Sequence, residues 1–213
     1  MVGDEPDINQ SLDSFHAHAR TPKHRTRFQK LVVYELIWAD LDAYRSLWSF
    51  LGKHDLVGEL YWWNVPGDDP AQHIMLEPRL LHTQVSEGSW WRIVDVAPAL
   101  EAREYAFGEP VEIRQQLSLT LQVEDDARLA PWNTGTFHLT AGADGKGSVR
   151  PAAPDEQAEV TLDIAALTNL WTGAASATQL SAWGMLAVAD ASVLARCALM
   201  FDMEKAPWCA EGY

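Results

Sequence analysis

Ten tryptophans in 213 residues, with two pairs of them adjacent along the chain, are the first candidates for chemistry. Trp62-Trp63 and Trp90-Trp91 can form a wall for a cation, because the negative face of an indole attracts an ammonium group. Successive residues of a strand point to opposite faces, so each pair equally suits one ring in a core and one at an interface. Carboxylates would complete a cation site. Asp68 and Asp69 lie in GDDP, Asp95 in WWRIVDV, and Glu211 two residues before Tyr213. Asp69, directly before Pro70, also suits a helix N-cap, Glu211 suits a solvated charge, and Arg92 can pair with one of these acids. His16 and His18 stand without a carboxylate or cysteine constellation that would make them metal ligands, and Cys197 and Cys209 have no zinc spacing. The single G-x-G, Gly145-Lys146-Gly147, follows Asp144 between two strand patterns and reads as a turn, not a phosphate cradle.

The elements that must position these groups follow from pattern. Residues 1–28 are polar, without a sustained period, and read as a flexible arm. KLVVYELIW, residues 30–38, is β-branched and aromatic, hence a strand. Asp40 then caps a helix whose Leu41, Tyr44, Leu47, Trp48 and Leu51 form one stripe at spacings of three and four. Residues 56–65 read as a second strand, a short helix opens at Pro70, residues 89–96 read as a third strand, and Pro98 opens another short helix. Beyond residue 106 the texture changes. Leu117, Leu119, Leu121 and Val123 alternate with polar residues, Asp144-Gly145 marks a hairpin, and QAEVTLDI supplies a further strand. Helices over 164–171, 178–183 and from Asp190 to Phe201 close an antiparallel meander, which makes the chain α+β.

Composition narrows the function. Hydrophobic residues at 47% and charged residues at 22% describe an ordinary globular chain. A net charge of −14 repels phosphate backbones and anionic lipid, so neither nucleic acid nor membrane is an expected partner. No apolar run approaches the roughly 20 residues of a membrane span, the first 20 residues lack a signal-peptide pattern, and two cysteines suit a reducing cytoplasm. A strand starting at Lys30 with no earlier partner implies an open sheet edge, hence a homo-oligomer.

The ordered series LWSFLGKHD, DDP with EPR, WWRIVDVAPALEAREY, LTNLWTG, LSAWGML and PWCAEGY resembles the central and C-terminal portions of the Eis-type (enhanced intracellular survival) N-acetyltransferases of the GNAT class, over residues 31–213. The resemblance implies a remnant of a second, degenerate GNAT-like α/β domain over 29–106. A sterol-carrier-protein-2-like antiparallel sheet with helices follows over 107–213. It implies acetyl transfer from acetyl-CoA to amines, aminoglycosides and lysine side chains among them, in assemblies that are commonly hexameric. It also implies that the catalytic acetyl-CoA-binding domain is absent, so that this chain alone binds no cofactor and is not active alone. The end of the chain matches the family's pattern of an aromatic last residue whose α-carboxylate accepts the substrate's proton, which gives that role to Tyr213. A free α-carboxylate, with a pKa of about 3.3 to 3.7, is a weak base, so burial has to raise it. Asp68, Asp69 and Asp95 fall in segments that border the family's amine pocket. Two alternatives stay open: a freestanding module holding an apolar ligand between sheet and helices, and a non-catalytic assembly subunit.

Overall fold

The computed structural model describes residues 29–86, 88–105 and 116–209. The expected arm over 1–28 lies outside them, as do Glu211 and Tyr213. The chain divides into two compact units, residues 1–65 and 66–213.

The described part of the first unit is β1 (Gln29–Val33), α1 (Leu41–Leu51) and β2 (Val57–Trp62). Asp40 starts α1 by accepting a hydrogen bond from the Ala43 N–H at 2.8 Å, and Tyr44 on the apolar stripe is fully buried. β1 and β2 pair in parallel, Lys30 opposite Glu59 through Val33 opposite Trp62. A tight turn cannot join parallel strands, so the intervening helix is the crossover. Among the described residues this sheet has two strands only, so β1 pairs with β2 on one side and keeps an edge on the other, as expected of a strand starting at Lys30. β1 ends at Val33, not at residue 38. Trp38 leaves the ladder to stack edge-on against Tyr44, with ring centroids 4.8 Å apart, and packs near Trp62 at 6.3 Å.

The second unit carries a five-stranded sheet. Its strands are β3 (Leu117–Glu124), β4 (Gly135–Ala141), β5 (Gly147–Pro151), β6 (Val160–Asp163) and β7 (Leu186–Val188), in the order β5-β4-β3-β6-β7. Its helices are α2 (Ala71–Ile74), α3 (Val96–Ala102), α4 (Ile164–Thr172), α5 (Ala177–Ala182) and α6 (Ala191–Phe201). Leu119, Leu121 and Val123 of β3 point into a core shared with Leu139, Val160, Leu167, Leu170, Val193 and Phe201. The core also takes in Ile93, Val96, Leu100 and Tyr105, which precede the expected junction at 106/107. The helix ends read at Gly173 and Asp190 hold, with α4 stopping at Gly173 at φ +77° and Asp190 accepting from the Ser192 and Val193 N–H; Asp163, which the sequence reading did not single out, caps α4 by accepting from the Ala166 N–H at 2.7 Å.

Two expectations are corrected. The sheet is no simple meander, because β3 and β6 run parallel, Leu121 opposite Val160 through Glu124 opposite Asp163. With β5 at the sheet edge and β6 beside β3, residues 152–159 cross the outer, polar face. Glu156 holds this strap through Arg150 at 2.6 and 2.7 Å and the Ala153 N–H at 2.6 Å, and Glu159 accepts from the Thr120 N–H and pairs with Arg196. Residues 89–96 form no strand. They run extended along α4, with Ile93 N–H donating to the Thr168 hydroxyl at 3.2 Å instead of to a ladder neighbour.

Candidate functional site

That extended segment forms one wall of a cleft of about 290 Å³, lined by Trp91, Arg92, Ile93, Val94 and Asp95, by Ala99 of α3, and by Thr168, Trp171 and Thr172 of α4. On a helix, positions i, i+3 and i+4 share a face, which is why Thr168, Trp171 and Thr172 present one wall. Trp171 is fixed by its indole N–H, which donates to the Ala99 carbonyl at 2.7 Å. Trp91 stands 68% exposed at the mouth.

The state of Asp95 follows from a residue that pattern reading missed. Asp95 occupies the N-cap position of α3 yet makes no side-chain cap hydrogen bond. Fully buried Asn133 does that work from a distance. Its Oδ1 accepts from the Val96 N–H at 3.0 Å, while its Nδ2 donates to the Val94 carbonyl and to Asp125 at 3.1 and 2.9 Å. Asp95 is thereby left exposed, in the same cleft lining as Trp91 and Trp171. Arg92 does pair with an acid, but with Asp125 at 2.5 Å and not with Asp68, Asp69 or Asp95. The Asp125 side chain is 1% exposed, and burial pushes its carboxyl up. Hydrogen bonds from Asn133, the Asp126 N–H and Arg92 outweigh that effect and hold it below the usual carboxylate range. Asn133 and Asp125 are invisible to pattern reading because their partners lie 8 to 39 residues away.

The other candidates are dispersed. Asp69 accepts from the Ala71 N–H at 2.9 Å at the start of α2, and Asp68 accepts from the Ala206 N–H at 3.1 Å. Trp62, in the first unit, packs with Trp38 and Trp48; its indole N–H is buried without a hydrogen-bond partner among the described residues. Trp63 beside it is 58% exposed. Among the described candidates, Asp95 and Trp91 come together in one cleft.

Gly145 N–H donates to the Gly142 carbonyl at 2.9 Å, and a Cβ on Gly147 would meet the Leu100 carbonyl oxygen at 2.6 Å and the Tyr105 ring at 2.7 Å. The amides opening α1 face the carboxylate of Asp40, which repels an anion. A shallow concavity on α1, lined by Arg45, Ser46, Ser49, Phe50 and Lys53, presents two cations and two hydroxyls. Among the described residues no cluster of three metal-ligating groups occurs, and no helix is long and apolar enough to cross a membrane.

A five-stranded sheet backed by helices, preceded by a β-α-β unit, defines an α+β protein of two parts, and comparison gives each part a family. The sterol carrier protein domain model matches residues 96–210, more than half of the chain, and the chain belongs to that family. The acetyltransferase (GNAT) domain model matches residues 9–93. That match corrects the expectation that the catalytic acetyltransferase domain is absent. Among relatives, an N-acetyltransferase of Streptomyces avermitilis is 30% identical over 183 residues, covering 86% of this chain and 42% of that protein. The N-acetyltransferase Eis of Mycobacterium tuberculosis is 33% identical over 173 residues, covering 81% of this chain and 39% of that protein. Among solved structures, Eis1 from Mycobacterium abscessus superposes with a TM-score of 0.66 at 25% identity, covering 89% of this chain and 44% of that one. The homologues are thus N-acetyltransferases of the Eis type, and the chain spans about four tenths of the length of the curated relatives it matches.

Proposed function

We propose that the chain serves acetyl-CoA-dependent N-acetylation of amines, aminoglycosides among the acceptors, and that the cleft at Asp95 receives the acceptor. One observation carries this reading: Asn133 caps α3 in place of Asp95, which leaves Asp95 without a cap hydrogen bond in the lining of a cleft that also takes in Trp91 and Trp171. A carboxylate beside aromatic faces suits an ammonium group. The amine must lose a proton before attacking the thioester carbonyl; the terminal carboxylate of Tyr213 is the proposed acceptor of that proton, with Glu211 adding negative charge nearby. Trp62 and Trp63 are proposed as aromatic surfaces in the first unit. Their test is alanine replacement at the exposed Trp63, which raises the KM for the amine only if that face touches it. The reading of an apolar ligand held between sheet and helices gains no support, because Leu119, Leu121, Leu139, Leu167 and Leu170 fill that space.

Asp95→Asn tests the proposal. The isosteric amide keeps the shape and removes the charge, so the KM for an aminoglycoside rises roughly tenfold or more while the KM for acetyl-CoA holds, as for loss of one charge-assisted contact. An unchanged amine KM overturns the assignment of Asp95. Self-association is proposed on the exposed Leu76, Val85 and Trp90, at 99, 96 and 85% exposure, and a monomeric mass by light scattering at micromolar concentration overturns it.

A further inference from the structure

The polar groups that line the cleft at Asp95 are mostly engaged within the protein. The Thr168 hydroxyl donates to the Ile164 carbonyl at 2.7 Å and accepts from the Ile93 N–H at 3.2 Å. The Thr172 hydroxyl donates back to the Thr168 carbonyl at 2.9 Å, and the Trp171 indole N–H donates to the Ala99 carbonyl at 2.7 Å. The Val94 carbonyl takes two donors, the Trp132 indole N–H at 3.0 Å and Asn133 Nδ2 at 3.1 Å. Arg92 is an exposed guanidinium bonded to Asp125 at 2.5 Å. The surface that this bonding leaves is almost wholly carbon. Asp95 stands apart in the same lining: it is exposed, and its carboxylate has no hydrogen-bond or ion-pair partner among the described residues.

We propose that this cleft selects amines carrying one ammonium group on an apolar body, arylalkylamines above all, over hydroxyl-rich polycations. The inference rests on the reading of the cleft as the acceptor site, and it narrows the class of acceptor. One unpaired carboxylate matches one ammonium group, and the indole of Trp91 offers a face to a cation or a ring. A second ammonium group meets no second acid in the lining and is set against the charge of Arg92. Hydroxyl groups fare worse. Each one taken out of water without a partner weakens binding roughly fivefold or more, whereas each methylene buried against carbon strengthens it about fourfold. At about 290 Å³ the cleft lies at the lower end of the roughly 300 to 1,000 Å³ of small-molecule sites, which suits one ring and its side chain.

Isothermal titration calorimetry on the full chain tests this with phenethylamine, its neutral analogue phenethyl alcohol, its anionic analogue hydrocinnamate, and kanamycin. Phenethylamine is expected to bind tightest, with the alcohol, the acid and kanamycin each roughly tenfold or more weaker. Asp95→Asn, which keeps the shape and removes the charge, weakens phenethylamine roughly tenfold and brings it level with the alcohol. Trp91→Ala, at an exposed position, weakens it about two- to fivefold, as for loss of one cation–aromatic contact. Two failures are distinguishable. If kanamycin binds as tightly as phenethylamine or tighter, and Asp95→Asn weakens it, the substrate class falls while the acceptor reading stands. If Asp95→Asn changes the binding of neither amine, the acceptor reading fails and takes the class with it. Unchanged phenethylamine affinity in Trp91→Ala also overturns the class, because the apolar body then lies elsewhere.

Discussion

Arg103 joins the ends of two helices of the second unit. It is 9% exposed, donates from Nη1 to the Trp171 carbonyl at 2.5 Å and from Nη2 to the Phe201 carbonyl at 2.6 Å, and lies 5.4 Å from the Phe201 ring centroid. Those carbonyls belong to the C-terminal turns of α4 and α6, where the helix dipole favours a cation. Burial lowers its pKa, and the nearby Tyr105 and Asp202 partly offset this. Each hydrogen bond to a charged group contributes about 1.5 to 3 kcal/mol, and the desolvation of the guanidinium takes part of the sum back. Arg103→Ala removes both bonds, orphans two carbonyls and opens a cavity, for a net loss of about 3 to 5 kcal/mol. Against a typical stability of about 5 to 15 kcal/mol, that brings the unit near the edge of folding. Urea unfolding measures it. With a slope of about 2 kcal/mol per molar, the midpoint falls by about 1.5 to 2.5 M. Arg103→Lys, a single point charge without the fork, retains one of the two bonds and loses about 1.5 to 3 kcal/mol. A midpoint for Arg103→Ala within about 0.5 M of the parent would refute the argument, because the guanidinium would then be joining two helix ends that hold without it.

Burial pushes the Cys197 thiol up to about 12, so its folded pKa lies above that of a free thiol near 8.5. The stability it contributes is complete below about pH 8.5 and is lost toward pH 12, at about 1.4 kcal/mol per unit in that window; a pH series of urea midpoints checks this, and Cys197→Ala flattens the slope. Exposed Cys209 reacts first with a thiol reagent, and Cys197 only on unfolding, as peptide mapping after partial labelling would show. The carboxyl of Glu156 is held down to about 2, first by Arg150 and then by the Ala153 N–H. Its contribution is present above the ordinary glutamate range and fades as pH falls toward 2, so Glu156→Gln makes the acid-unfolding midpoint less steeply pH-dependent, read by circular dichroism. Gly173→Ala places a Cβ at φ +77° and against Met203, for a loss of about 1 to 2 kcal/mol by thermal denaturation.

What the sequence made legible was local. The cap at Asp40, the stripe through Tyr44 and Trp48, the turn at Gly145 with φ +80°, and the stop at Gly173 each depend on residues within one or two turns of each other. What it concealed was pairing. SWWRIV has every local property of a strand, yet a strand exists only where a neighbour offers its ladder, and here α4 offers a threonine hydroxyl instead. Likewise the composition of β6 carries no mark of its parallel pairing with β3, which is set by the strap across the outer face and by Glu159 reaching the Thr120 N–H.

The candidate site divides along the same line. Asp95 is visible in sequence as an acid in an aromatic stretch, but a residue in its place before a helix is ordinarily a cap, and local pattern alone favours that bland role. Only the arrival of Asn133, from 38 residues away, frees the carboxylate for other chemistry. The reverse holds at Asp68, where one carboxylate oxygen already accepts from the Ala206 N–H. In both places the hydrogen bonding of a carboxylate is decided by which backbone amide has already been satisfied, and by whom. The same accounting of amides is why the proposal assigns the substrate cation to Asp95, which makes no cap hydrogen bond, ahead of Asp68 and Asp69, which accept from the Ala206 and Ala71 N–H.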